Sequence, residues 1–447
     1  MKKIIRNIIL LTIVLFNINI FPQQLLQSGP MAGFSAMREV SLWVQTNKFA
    51  DVKFVYWNLN DVKKKYETAE VATKEIDGYT AKIAVTNLEP GQKYNYELYI
   101  NKKKISLPYE LKFQTQELWQ WRKDPPKFNF ITGSCFYVNE PQYDRPGKPY
   151  GSNFEILKSI YDKRADFMLW LGDNLYLREV DWDSWSGILK RYTHTRSFPQ
   201  LQPLLASMHH YATWDDHDFG PNDSDRGYTL KDKTLSAFKL FWPNPSYGIN
   251  GKPGITSFFQ WGDVEFFLLD DRYYRTPNDR RTGEKEMFGS EQIEWLIDNL
   301  VKSRAPFKII ATGGQILNPV EKDYLEIFNR FPKEKEKLLN LLSEEKIEGV
   351  IFLTGDRHHS EITKLEREGS YPLYDFTISS FTAGVSPGKD ELNTLRVSGT
   401  LADEHNFALF NVSGKSKERI LKCTVFDKNG KAIWDYSINE NELKIKK

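Results

Sequence analysis

Four short apolar runs that each end in a polar turn constrain the fold of this chain most strongly. Their closing motifs carry metal-binding side chains and read Gly-Ser-Cys135, Gly-Asp173-Asn-Leu-Tyr176, Trp-Asp-Asp216-His217 and Gly-Asp356-Arg-His358. Each run has the length and composition typical of a buried β-strand. In open α/β sheets, functional side chains gather beyond the carboxyl ends of the strands, where turns from different strands converge. A thiolate, carboxylates, a phenolate and imidazoles at such an edge indicate a site for more than one metal ion.

The region after Pro125-Pro126 alternates strands with helices. The apolar run Gly349-Val-Ile-Phe-Leu predicts a strand, and apolar residues at helical spacing after Ser290 predict a helix. This alternation is typical of an α/β layered domain. From Asn406 onward the pattern returns to hairpins, with Asp427-Lys-Asn-Gly as the turn. We expect these last strands to join the sheet of the same domain.

The earlier part of the chain has a different pattern, with short alternating strands separated by turns. Val40-Ser-Leu-Trp-Val-Gln-Thr and Tyr94-Asn-Tyr-Glu-Leu-Tyr-Ile are two such runs of period two. Several strands at this spacing predict a small antiparallel β-sandwich of the fibronectin or immunoglobulin type. The predicted division of the chain is a signal peptide at 1–24, this β-sandwich at 25–117 and the α/β domain at 118–447.

The first residues have the pattern of an export signal. Lys2, Lys3 and Arg6 precede the apolar run 8–21, which stops at Pro22. A basic start, a short apolar run and an abrupt polar end are typical of a secretory signal peptide. The run is shorter than the roughly 20 apolar residues that span a bilayer comfortably; an uncleaved anchor is the alternative. We expect an exported protein, periplasmic or extracellular, with no transmembrane segment after signal cleavage.

The overall charge gives little indication of a partner. The chain has 61 Lys and Arg against 59 Asp and Glu, a net charge of +2, and the basic residues are scattered. No basic stripe is present, so we expect no specific nucleic-acid binding. We expect a monomer.

The ordered motifs also resemble a known family. Together with Leu-Asp270-Asp-Arg272 and Gly-Ser-Glu-Gln292, they look like those of PhoD-type alkaline phosphatases. These enzymes belong to the calcineurin-like metallophosphatase group, which includes the purple acid phosphatases. The similarity runs from about Phe128 to the C-terminus, and the preceding β-domain is similar to the family's N-terminal module. The resemblance implies an α/β/β/α sandwich as the fold of the catalytic domain.

One predicted metal site is rich in soft and phenolic ligands. Asp173 can bridge two cations because a carboxylate has two oxygens, and Tyr176 can turn back toward the same ion. A thiolate from Cys135 and the phenolate favour Fe(III), with His358 completing the site, and the resemblance implies the same iron ligands. The alternatives are a structural turn with a packed tyrosine and, in an exported chain, a disulfide between Cys135 and Cys423.

The second predicted site has oxygen ligands. It would take Asp173, Asp216 or Asn222, and Asp356, and which of Asp216, Asn222 and Asp223 reaches the ion is open. Oxygen ligands suit calcium or magnesium better than zinc, so one or two Ca(II) ions are expected, with other divalent metals as alternatives. Gln315 stands in the neighbourhood where a metal-binding histidine would otherwise lie, which also favours calcium.

Two residues are predicted to act on the substrate. His217 would protonate the leaving alkoxide or hydrogen-bond the phosphate, as the equivalent histidine is thought to do in the group that this chain resembles. Arg272 could hold phosphate with its guanidinium, although an ion pair with Asp270 or Asp271 is an equal alternative. The nucleophile would be a metal-bound hydroxide, because cations lower the pKa of bound water.

These features together predict an exported metal-dependent phosphoesterase. It would hydrolyse phosphodiesters and phosphomonoesters, in small molecules or polymers, faster at alkaline pH. The alternative is a non-catalytic cell-surface protein that binds a glycan or another polymer and has a degenerate metallophosphatase core. The complete set of acidic and aromatic ligands argues against this alternative.

Overall fold

The computed structural model describes residues 25–322 and 324–445. The predicted signal peptide at 1–24 therefore lies outside the described residues. Within the two described ranges, no helix combines the length and the apolar character needed to cross a membrane.

The first part of the chain is built from strands, as its alternating pattern predicts. They are β1 (Leu26–Ser35), β2 (Val40–Thr46), β3 (Asp51–Asn58), β4 (Tyr66–Glu67), β5 (Val71–Ala72), β6 (Thr80–Val85), β7 (Lys93–Ile100), β8 (Lys103–Lys104) and β9 (Lys112–Gln114). β3, β4, β5, β7, β8 and β9 form one antiparallel sheet. Its inner side chains share an apolar core with β1, β2 and β6, among them Val44, Phe54, Ile83 and Leu98.

The rest of the chain alternates strands and helices until the final hairpins. The strands are β10 (Phe128–Gly133), β11 (Phe167–Leu171), β12 (His209–Thr213), β13 (Ser257–Trp261), β14 (Val264–Leu268), β15 (Lys308–Ala311), β16 (Val350–Thr354), β17 (Glu361–Leu365), β18 (Leu373–Thr377), β19 (Asn406–Ser413), β20 (Ile420–Asp427) and β21 (Ala432–Asn439). The helices are α1 (Glu155–Asp162), α2 (Trp185–Arg196), α3 (Gln202–Ser207), α4 (Asp216–Phe219), α5 (Lys231–Phe241), α6 (Ser290–Lys302) and α7 (Pro332–Glu344).

Two large sheets form the centre of the molecule. One has the strand order β21-β20-β19-β10-β11-β12-β1-β2-β6, and the other has the order β13-β14-β15-β16-β18-β17. β10, β11 and β12 are parallel neighbours, as are β14, β15, β16 and β18. The motifs that carry the predicted ligands therefore follow parallel strands, and the carboxyl ends of parallel strands lie together at one edge of each sheet.

Alternation along β11 shows how the layers pack. Phe167 faces the second sheet, where its ring lies 5.4 Å from that of Phe266. Trp170 belongs to the other face and packs in a core with α1, α2, α3 and α5. Helices α6 and α7 cover the second sheet with residues such as Leu296 and Leu338. The order of layers is helix, sheet, sheet, helix, as expected.

The sheet pairing joins the two ends of the chain to this centre. β1 pairs in parallel with β12 through Ala32 and His209, so β1, β2 and β6 are part of the nine-stranded sheet. β19 pairs antiparallel with β10 and is followed by β20 and β21 on the same side. The alternating pattern of the first strands gave no indication of the pairing between β1 and β12. The domain boundary near residue 117 remains a prediction, and one sheet runs across it.

Candidate metal centre

The turns that follow β10, β11, β12 and β16 meet at one edge of the sandwich. Gly172 follows β11 with φ of +90°, and a Cβ there would lie 2.7 Å from the Cβ of Asp215. A Cβ on Gly355, after β16, would lie 2.7 Å from the Leu171 carbonyl oxygen and from the Cβ of Ser134. Both glycines are thus required for the turns to approach so closely.

A buried carboxylate fastens two of these turns together. Asp218, in α4, accepts hydrogen bonds from the backbone N–H groups of Asn174 and Asp215 at 3.1 Å. Asn174 immediately follows Asp173, and Asp215 immediately precedes Asp216. The carboxylate of Asp218 therefore sets the separation of the two central acids.

The residues expected to bind iron lie together at this edge. The Cys135 Sγ is 3.6 Å from Asp173 Oδ2, and the Tyr176 hydroxyl donates to the same oxygen at 2.8 Å. The Tyr176 hydroxyl is also 3.5 Å from His358 Nε2. Ligand atoms of Cys135, Asp173 and His358 all lie within 4.8 Å of one another, a spacing that could hold a metal ion.

Asp173 also belongs to the acidic side of the site. Asp173, Asp216 and His217 form a second group with ligand atoms within 4.8 Å. Asp216 Oδ2 accepts from the backbone N–H of Asp223 at 2.8 Å, and Asp216, Asp223 and Glu326 form a third group.

The remaining candidates for the oxygen-rich site occupy different positions. Asp356 follows β16, and burial, with further contributions from Asp216 and Glu326, raises its pKa. Asn222 is exposed in the turn just before Asp223. The clustering of Asp223 with Asp216 favours Asp223 as the neighbouring ligand, while the role predicted for Asn222 remains a prediction.

The protonation of these groups indicates what the site needs. Burial raises the pKa of the Cys135 thiol to about 12. Burial and the neighbouring Asp216 raise the pKa of Asp173 well above its ordinary value. Burial lowers the pKa of His358. Each residue thus favours its neutral form unless a cation lies beside it, and the donor set of sulfur, phenol, imidazole and carboxylates fits such cations.

His217 faces this centre with an unsatisfied nitrogen. Its ring centroid lies 4.1 Å from that of Tyr176, and its Nε2 is 3.9 Å from Asp216 Oδ2. Its Nδ1 has no hydrogen-bond partner among the described residues. The backbone N–H of His217 donates to Asp173 Oδ1 at 3.3 Å, which fixes the start of α4 against the centre.

Arg272 is fully buried and is held by acidic side chains. Its Nε donates to Asp215 Oδ1 at 2.6 Å and its Nη1 to Glu326 Oε2 at 2.7 Å. The ion pairs of the guanidinium therefore involve partners other than Asp270 and Asp271. Asp270 accepts from Trp214 Nε1 and from the backbone N–H groups of Arg272 and Tyr273 at 2.8 to 3.0 Å, and Asp271 accepts from the backbone N–H of Gly314 at 2.9 Å. A structural ion pair is thus present, but with Asp215 and Glu326 and not with the expected Asp270 or Asp271. The phosphate contact predicted for Arg272 remains a prediction.

Replacing Arg272 with Met is expected to destabilise the metal-free protein by about 3–5 kcal/mol, because Asp215 and Glu326 lose a buried partner. The free energy of unfolding in urea measures this effect. Lys158→Met is the control, since Lys158 pairs with Asp162 on the surface of α1 and should cost less than about 1 kcal/mol. Similar losses in the two variants would contradict the structural role of Arg272.

Glu326 is a residue that the sequence analysis missed. It lies in the segment between β15 and α7, where its carboxylate binds Arg272, Arg275 and Asn278. In the sequence, Glu326 could be noticed only as an acid between the apolar residues Leu325 and Ile327, both of which are buried in the structure. An acid between two apolar residues in a loop is weak evidence without the fold.

Two other expectations concern Cys423 and Gln315. Cys135 and Cys423 are both free and buried, and Cys423 lies in β20 opposite Phe410, so the alternative disulfide is absent. Gln315 Nε2 donates to Thr377 Oγ1 at 2.8 Å. The side chain of Gln315 is thus part of the buried hydrogen-bond network between the ends of β15 and β18.

Residues 134–418, more than half of the chain, match the family described as PhoD-like phosphatase. The chain belongs to this family. The predicted resemblance is thereby confirmed. Residues 23–118 match a domain of unknown function, DUF7800.

A curated relative and two solved structures support the same assignment. Alkaline phosphatase D of Bacillus subtilis (strain 168) is 22% identical over 366 residues, which are 70% of this chain and 59% of that protein. This chain thus aligns with under two thirds of the relative's length. A structure of PhoD has a TM-score of 0.75 at 18% identity, with 93% of this chain and 92% of that chain covered.

A purple acid phosphatase from yellow lupin seeds has a TM-score of 0.68 at 12% identity, with 92% and 74% coverage of the two chains. At these identities the structural similarities show the fold. They confirm the predicted metallophosphatase sandwich and its strand-rich N-terminal part.

Proposed function

We propose that this member of the PhoD-like family is an exported, metal-dependent phosphoesterase that hydrolyses phosphodiesters and phosphomonoesters. The observation that carries the proposal is the position of Asp173. Asp173 is shared by a group with Cys135 and His358 and a group with Asp216 and His217. Its Oδ2 lies next to Cys135, and its Oδ1 accepts from the backbone N–H of His217. A shared carboxylate between two ligand groups is the arrangement that a two-metal hydrolytic site requires.

The residues on one side of Asp173 suit Fe(III), and those on the other suit Ca(II). Cys135, Tyr176 and His358 offer a thiolate, a phenolate and an imidazole. Asp216, Asp356, and Asn222 or Asp223 offer oxygens. When bound, such cations lower the pKa of water and compensate the negative charge of the phosphate. One or two calcium ions, or other divalent metal ions, would bind on the oxygen-rich side.

His217 and Arg272 complete the proposed machinery. The Nδ1 of His217 has no hydrogen-bond partner among the described residues, and the ring packs against that of Tyr176. Both observations support a role in donating a proton to the leaving oxygen. Arg272 would act mainly through Asp215 and Glu326 by holding the acidic side of the site in place. We also propose that the protein is exported to the periplasm or beyond and is a monomer. The proposed sandwich spans 25–117, and the proposed catalytic domain spans 118–447.

The intact set of sulfur, phenolic, imidazole and carboxylate donors favours this enzyme over a binding protein with a degenerate core. The test uses mature protein loaded with iron and supplied with calcium. We expect it to hydrolyse an aryl phosphomonoester and the matching bis-aryl diester, and to lose both activities on chelation. Folded, metal-loaded protein that cleaves neither compound would contradict the proposed reaction. The ratio of the two rates identifies the preferred ester class.

Replacing His217 with Gln is expected to lower kcat by about 10²–10⁴-fold for an alkyl phosphate ester, the range typical of lost proton donation. A nitrophenyl ester has a leaving group that needs little protonation, so its loss should be much smaller. Steady-state kinetics with both esters measure the difference. His194→Gln, on α2, is the control and should leave both rates unchanged. An equal loss for the two esters in the His217 variant would argue against a proton donor.

A further inference from the structure

The sulfur of Cys135 lies beside two hydroxyl groups, and one of them, that of Ser379, lies outside the motifs that the family shares. Ser134 Oγ is 3.3 Å from Cys135 Sγ, and Ser379 Oγ is 3.1 Å from it. All three side chains are buried. Ser379 belongs to the loop that follows β18. It contacts the sulfur although it lies 244 positions away from Cys135 in the chain.

The partners of each hydroxyl decide which of them donates to the sulfur. The Ser134 hydroxyl donates its proton to the Ile378 carbonyl oxygen at 3.0 Å. The Tyr176 hydroxyl donates to Asp173 at 2.8 Å, and as a phenolate it would have no proton to donate. The Ser379 hydroxyl is therefore the group whose proton points at the sulfur.

Ser379 is also bonded to a second expected iron ligand. The backbone N–H of His358 donates to Ser379 Oγ at 2.9 Å. The hydroxyl thus accepts from His358 and donates to Cys135, and it links two turns that come from different strands. The Ser379 side chain thus fixes the positions of the Cys135 thiol and the His358 backbone relative to each other.

We propose that Ser379 is a positioning residue that donates a hydrogen bond to the Cys135 thiolate and tunes the iron it binds. This inference rests on the iron site of the proposed function. A hydrogen bond to a ligating sulfur withdraws electron density from it, and such bonds set the reduction potential of iron–thiolate centres. The bond also orients the sulfur before the metal arrives.

The neighbouring Ser380 provides a matched control. It is equally buried and lies in the same loop, but its hydroxyl faces carbonyl oxygens, that of Ala383 at 2.8 Å and that of Cys135 at 3.4 Å. Ser379→Ala and Ser380→Ala therefore remove the same group from adjacent positions, and only the first removes a bond to the sulfur. Ser379→Thr retains the hydroxyl and tests for rescue.

The experiment compares the iron-loaded variants by visible absorption and by redox titration. In Ser379→Ala the sulfur becomes a stronger electron donor, so its charge-transfer band should move to longer wavelength and the reduction potential of iron should fall. Ser380→Ala and Ser379→Thr should retain the wild-type band and potential. Loss of iron from Ser379→Ala alone, with an unchanged circular dichroism spectrum, would also support the positioning role.

Two negative outcomes have different meanings. A normal wild-type band that stays unshifted in Ser379→Ala would overturn the role of Ser379 and leave the proposed function intact. Wild-type protein that binds no iron through Cys135 would overturn the iron site of the proposed function, and this inference with it.

Discussion

Replacing Asp173 with Asn is expected to lower the proposed phosphoesterase activity on the order of 10³-fold or more, because several kcal/mol of transition-state stabilisation by the proposed cations would be lost. Both kinds of ion should be affected, since Asp173 contributes to the group with Cys135 and to the group with Asp216. Metal content of the purified variant and its kcat measure the two effects. Loss of one ion with the other retained would contradict the bridging role.

The same substitution should stabilise the metal-free protein. Burial, followed by Asp216, raises the pKa of Asp173 in the folded state. The folded state therefore holds the proton more tightly than the unfolded chain, and stability falls as pH rises above the unfolded value of about 4. Asn has no such penalty at neutral pH. A variant that is inactive yet melts at a higher temperature without metal would separate lost function from lost folding.

Asp166 provides the matched control because it precedes β11, whereas Asp173 follows it. Asp166 Oδ2 accepts from the backbone N–H of Asn129 at 2.8 Å, and Oδ1 accepts from Gln114 Nε2 at 2.8 Å. The amide oxygen of an Asn can accept one of these bonds, and neither partner belongs to the site. Asp166→Asn should retain metal and activity. A comparable loss of activity in this variant would mean that the effect at Asp173 comes from the strand and not from the site.

Replacing Cys135 with Ala is expected to weaken iron binding by more than about 100-fold, since even the loss of an indirect partner of a metal ligand costs about 10–100-fold. Activity should fall together with iron content, while calcium binding is less affected because its expected ligands are oxygens. Titration of the metal-free protein with iron, followed by activity assay, measures both. Full activity in this variant would contradict the assignment of the Cys135 thiolate as an iron ligand.

Cys423→Ala is the control for the loss of a buried thiol. Cys423 is also buried and free, but it lies in β20 opposite Phe410. Its replacement should cost about 1 kcal/mol of stability, as for other small losses of core volume. Iron content and activity should stay at wild-type values. Loss of iron from the Cys423 variant would indicate that general destabilisation, and not ligation, explains the effect at Cys135.

The sequence predicted much of the neighbourhood of the site. Cys135 and Asp173 follow the neighbouring parallel strands β10 and β11, whose carboxyl ends lie at one edge of a sheet. Local patterns were therefore enough to expect that these two residues meet. His358 follows β16 of the second sheet, and its approach depends on how the two sheets pack. The roles of these residues as metal ligands remain predictions until metal content is measured.

The partners of the predicted residues were much harder to anticipate. Arg272 pairs with Asp215 and Glu326, which lie 57 and 54 positions away in the chain. The nearest acids, Asp270 and Asp271, were the natural candidates for an ion pair. They are instead engaged by Trp214 and by the backbone N–H of Gly314. Distance along the chain was a poor guide because the two sheets bring distant segments together.

Local sequence thus specifies this protein's strands, its layered class, its family and the chemistry of its central motifs. These features depend on the period of apolar residues and on short turns, and both can be recognised from a few consecutive residues of the sequence. The pairing of β1 with β12, the salt bridges of Arg272 and the bond from Ser379 to Cys135 arise only in the folded molecule. They join residues far apart in the chain, and their contact depends on how the sheets and loops pack as a whole.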